Sequence, residues 1–135
     1  KMKTFKRKMI PMIQSQHFKA IQAMNWCIRT YGFIKTRSVP IVRIDSDLTK
    51  VDGWYNFYED TIFLQKELSL PKLIKTVIHE YQHYLKHSVK EFEYYYNVGY
   101  DYTDHPFEIE AEKIAKKDWI KCKNDLNLEI ENGDK

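Results

Sequence analysis

His79 and His83 stand four residues apart with a carboxylate directly after the first, in the run His79-Glu80-Tyr81-Gln82-His83. On an α-helix, residues with this spacing rise ~6 Å along the axis and project from one face. Two imidazole nitrogens so placed suit one zinc ion and leave positions for a third protein ligand and a water. Glu80 then lies beside that water. A carboxylate there can accept the water's proton as the metal lowers its pKa, then deliver the proton to a leaving amine. The chemistry implied is hydrolysis of a peptide bond, with Glu80 as the base and His79 and His83 as ligands. A surface helix with incidental histidines is the plain alternative, and the neighbouring pattern speaks against it. Leu73, Ile74, Val77, Ile78, Tyr81 and Leu85 recur at helical spacing and place the run on a partly buried helix.

The elements around the run are legible. Ser69 and Pro71 fit the cap and first turn of a helix over about 71–88. Residues 16–31 read as an earlier helix, with Gly32 as its stop. Ile41, Val42 and Ile44 predict a strand over 39–45. Trp54–Tyr58 and Thr61–Gln65, joined by Glu59-Asp60, predict a hairpin over 54–65. Residues 89–103 show no clear period. Asp104 and Pro106 mark the start of a last helix with an apolar stripe of Phe107, Ala111, Ile114, Ala115 and Ile120. The expected fold is one α+β domain over 1–135, a small mostly antiparallel sheet packed against the HExxH helix and a second ligand-bearing helix. The basic arm 1–10 and the polar tail 127–135 are expected to fray.

The third ligand is sought downstream, in His105-Pro106-Phe107-Glu108-Ile109-Glu110-Ala111-Glu112. Here the chain resembles the gluzincin metallopeptidases, whose HExxH helix is followed by a helix carrying a glutamate ligand. The spacing E-x-x-A-x-x-x-A, from Glu108 through Ala111 to Ala115, is similar to the second-helix motif of small ImmA/IrrE-type peptidases. That resemblance implies one zinc ion held by His79, His83 and Glu108, with Ala111 small enough for the two helices to approach. It also implies a hairpin whose last strand, 61–65, is the substrate-facing edge, and a target that is a specific regulatory protein. An Asn or Asp is usual in that family where Glu112 stands. The residues themselves leave Glu110 and His105 open as third ligand. Glu110 lies about 200° around the helix from Glu108, so both cannot face one metal.

A tetrahedral oxyanion needs a donor beside the metal. Tyr94, Tyr95, Tyr96, Tyr100, Tyr102 and His105 lie between the two ligand helices, and Tyr102 and His105 are preferred as nearest Glu108 in sequence. His87 continues the series 79, 83, 87, but at ~12 Å from His79 along the axis it cannot complete the same site. It is read as a helix-end histidine.

Composition narrows the class of protein. With 22 basic and 19 acidic residues the chain is only mildly basic, and five cations crowd the first eight positions. A nucleic-acid partner is therefore not expected. Cys27 and Cys122 form no CxxC pair, which suits reduced thiols in the cytoplasm. The short apolar stretch Met9–Ile13 does not make a signal peptide, and no run approaches membrane-spanning length. The expected partner is a protein or peptide substrate. Two alternatives stand beside this reading. One is a SprT-like protease acting near DNA, with His105 as third ligand and Lys1–Lys8 as its arm. The other is an inactive zinc-binding module.

Overall fold

The computed structural model describes residues 15–86, 88–99 and 105–128, without the side chains of 89, 92, 95 and 96. Its elements run α1 (Gln16–Tyr31), β1 (Ile41–Asp45), β2 (Gly53–Asn56), β3 (Thr61–Gln65), α2 (Leu70–Lys86), α3 (Val89–Asn97) and α4 (Pro106–Asp125). This is an α+β fold. Ser15 caps α1 by accepting from the Phe18 amide, and Gly32, at a φ of 83°, ends it where most side chains are strained. The carbonyl of Ser69 accepts from Leu73 as α2 begins. The arm 1–10, His87, Tyr100, Tyr102, Asp104 and the end of the tail lie outside the described residues.

The sheet is mixed. β2 and β3 form the expected antiparallel hairpin, with Tyr55 opposite Ile62, whereas β1 pairs with β3 in parallel, with Val42 opposite Ile62. The order β1-β3-β2 places Thr61–Gln65 in the centre. The expectation that this strand is the substrate-facing edge is therefore corrected. The chain leaves β1 on one edge, crosses the end of the sheet, and returns as β2 on the other before β3 fills the gap. Burial of Thr61, Ile62 and Leu64 accompanies that central position. The outer side of β1 adjoins α1, where a His17 ring nitrogen meets the Val42 carbonyl at 2.9 Å.

α2 is the central helix. It packs against α1, α4, β2 and β3, and Leu73, Ile74, Val77, Ile78, Tyr81 and Tyr84 are buried in the core. Its polar atoms fasten the neighbouring loop: Tyr81 donates to the Gly32 carbonyl at 2.6 Å and Tyr84 accepts from the Ile34 amide at 2.9 Å. Arg37, Tyr55 and Asp60 tie that loop to the sheet. Ala111 and Ala115 are fully buried on α4, consistent with small residues allowing close approach of α2. Trp26 to Asp125 at 2.8 Å and Tyr31 to Asp118 at 2.6 Å join α1 to α4. Cys27 and Cys122 are both buried and unbridged.

Gly53 seats β2 on the central helix. A Cβ there would come within 2.6 Å of both the Phe63 carbonyl oxygen and the Thr76 methyl. Backbone and a buried side chain must then move, so Gly53→Ala is expected to destabilise the protein by about 1–3 kcal/mol. Urea unfolding measures this, and unchanged stability would show that β2 is not clamped against α2.

α3 is a helix where no period was expected. Its tyrosines are not spaced as one face, but Ser88-Val89-Lys90-Glu91 is a capping box. Ser88 accepts from the Glu91 amide at 3.2 Å, and Glu91 accepts from the Ser88 amide at 3.1 Å.

Candidate metal centre

The buried α2 carries His79, Glu80 and His83 toward the start of α4. One donor atom from each lies within 4.8 Å of the others. Glu108, in the first turn of α4, reaches both imidazoles: its carboxylate oxygens are 2.8 Å from His79 Nε2 and 2.6 Å from His83 Nε2. Glu80 stands farther off, at 3.8 Å from His79 Nε2. Glu112 lies 3.9 Å from His79 Nδ1, beyond hydrogen-bond reach. Glu110 points elsewhere and pairs with Lys86 at 3.0 Å on the exposed side. Of the candidate third ligands, Glu108 is thus the one whose carboxylate lies between the two histidines.

Electrostatics follow from burial. Desolvation would raise Glu108, but hydrogen bonds from His79 and His83 overcome it and hold its pKa down at about 2. The same carboxylate raises the proton affinity of both rings, but the net shifts are opposite. Burial dominates at the more deeply enclosed His83 and lowers its pKa. Burial also lowers His79, but Glu108, Glu80 and Glu112 together outweigh it and the net shift is upward. Glu80 is pushed up to about 8 chiefly by burial; nearby His79 and a hydrogen bond from the Tyr55 backbone oppose the shift. Two imidazoles and a carboxylate facing one point match the donor set of a zinc site that retains an open position.

His105 caps α4 in the place expected for Asp104, accepting the Phe107 amide at its Nδ1 at 3.1 Å. That bond leaves the proton of the neutral ring on Nε2, making it a donor rather than a ligand. His105 is buried and close enough to Glu108 and His83 for their charges to act on it. Tyr94 is exposed on α3.

A cleft of about 480 Å³ opens beside the site, lined by Gly53 on β2, by Thr76, His79 and Glu80 on α2, and by Glu108 and Glu112 on α4. The bond from Gln65 N to Asp52 O, at 2.7 Å, sets the alternation of the β2–β3 ladder. Asp52, Trp54 and Asn56 consequently face β3, while Gly53 and Tyr55 turn their backbone groups outward. The edge strand beside the candidate metal centre is β2.

No protein-family model, curated protein or solved structure matches the chain. Among the described residues, no helix is long and apolar enough to cross a membrane. The fold and the site define an α+β protein with a His-Glu-His group able to hold a metal ion.

Proposed function

We propose that the chain is a zinc-dependent metallopeptidase of the gluzincin kind, similar to the small ImmA/IrrE-type enzymes. The observation that carries this is the Glu108 carboxylate between the Nε2 atoms of His79 and His83, with Glu80 alongside but farther away. His79, His83 and Glu108 would hold the ion. A zinc ion there supplies Lewis acidity, polarising a carbonyl and lowering the pKa of water. Glu80, left out of that set, takes a proton from the attacking water on its carboxylate and passes it to the leaving amine nitrogen. His105 presents an Nε2–H to the developing oxyanion. An extended substrate lies along the outer edge of β2.

A closed structural site would have no use for a carboxylate held beside it, and neither of the buried cysteines, Cys27 and Cys122, belongs to the donor group. The decisive experiment measures zinc per chain and hydrolysis of a denatured-protein substrate pool, read by mass spectrometry, with and without chelator. One zinc per chain and chelator-sensitive cleavage are expected. A chain that takes up no zinc on reconstitution overturns the reading.

A further inference from the structure

Lys72 and Lys75, on the first turns of α2, and Lys50, in the segment before β2, line the end of the cleft away from Glu108. None of these three ammonium groups forms an ion pair with a described residue; Asp52, which also lines the cleft, is not within pairing distance of them. The Lys75 ammonium rests 5.2 Å from the centroid of the Trp119 ring on α4. Lys72 occupies a helix first turn that contains no acidic residue. That end of a helix carries positive partial charge and favours carboxylates, so a lysine there works against the helix. Local folding does not account for it. The dipole and the lysines instead add up to a positive field at one end of a cleft whose other end carries the candidate metal centre.

Lys75 and Lys72 lie ~6 and ~10 Å from His79 along the helix axis. At ~3.3 Å per residue, an extended peptide covers that distance in about two or three residues. We propose that this end of the cleft is a subsite for a substrate carboxylate two or three residues from the scissile bond, bound by Lys72 and Lys75 with Lys50 at the rim. The inference rests on the peptidase reading for the use of the cleft. The carboxylate has two possible sources, an Asp or Glu side chain and the carboxy terminus of the substrate. Lysines act as point charges without the fork geometry of arginine, so they select charge and reach more than shape.

The test is equilibrium binding to the full chain carrying Glu80→Gln, zinc-loaded and chelator-treated, read by fluorescence anisotropy. The probes are short Ala/Val peptides with a neutral coumarin label. One set has a single Glu, scanned along the peptide, and an amidated end; another has Gln and a free carboxylate end; the control has Gln and an amidated end. A carboxylate peptide is expected to bind at least about 10-fold more tightly than the control. That advantage should fall below about 3-fold in Lys72→Gln/Lys75→Gln, survive in Lys72→Arg/Lys75→Arg, and shrink in about 0.5 M salt. Preference for the Glu set identifies a side-chain carboxylate, and preference for the free-end set a carboxy terminus. Equal affinity for all three, no binding by any, or a preference that survives Lys72→Gln/Lys75→Gln overturns the subsite. The two readings fail separately. Carboxylate preference without zinc uptake would sink the peptidase and keep the subsite. Zinc-dependent cleavage indifferent to a carboxylate would sink the subsite alone.

Discussion

Glu80→Gln is expected to keep its zinc, to cleave at least about 10³-fold more slowly than the parent chain, and to be the more stable protein once metal is removed. The amide cannot take a proton from water, yet it has nearly the volume of the carboxylate. The stability gain follows from the sign of the shift. Burial holds the folded-state pKa of Glu80 at about 8, above the ordinary carboxylate range. The native state therefore binds a proton that the unfolded chain releases, and metal-free stability declines as pH rises from about 5 toward 8. Gln removes that cost. In chelator the variant should gain about 4 kcal/mol near pH 8 and nothing below about pH 4. Thermal melts across pH measure this beside zinc content and peptide cleavage. Zinc lost along with activity would make Glu80 a ligand, and undiminished cleavage would remove it from the mechanism.

Glu108→Ala is expected to weaken zinc binding by at least about 100-fold, whereas Glu110→Ala leaves it within about 2-fold. The difference is one of place. Glu108 meets both imidazoles, while Glu110 reaches Lys86 on the exposed side. Competition against a chromogenic zinc chelator gives both affinities, and the reverse ranking would move the third ligand to Glu110. The metal-free protein provides a second readout. The folded-state pKa of Glu108 is depressed to about 2, so the stability it contributes is full above the ordinary carboxylate range and is lost as pH falls through about 2. Glu108→Gln should lose about 2 kcal/mol at neutral pH and converge with the parent chain near pH 2. A constant difference across pH would mean that packing, not charge, sets the effect.

Much of this was open to reading in the chain because it depends on neighbours in sequence. The helix carrying His79 and His83 is announced by apolar residues from Leu73 to Tyr81, and all but the later Leu85 of that stripe are buried. The hairpin is written in the aromatic and β-branched runs on either side of Glu59-Asp60. α3 was legible too, in the capping box Ser88 to Glu91, although its tyrosines follow no helical period.

By itself, then, the sequence determined the helices, the hairpin and the spacing that puts two imidazoles and a carboxylate on one helical turn, since each is a matter of local geometry. The tertiary structure decided the rest. Only the parallel pairing of β1 with β3 makes Thr61–Gln65 central and leaves β2 beside the site. Only the seating of Ala111 and Ala115 against α2 turns Glu108 toward both histidines and Glu110 toward Lys86. Burial of Glu80, and the gathering of Lys50 with Lys72 and Lys75, likewise arise from segments distant along the chain. Periodicity specifies which face of an element is apolar, but strand order, helix phase and the field at a side chain are set by what packs against that face.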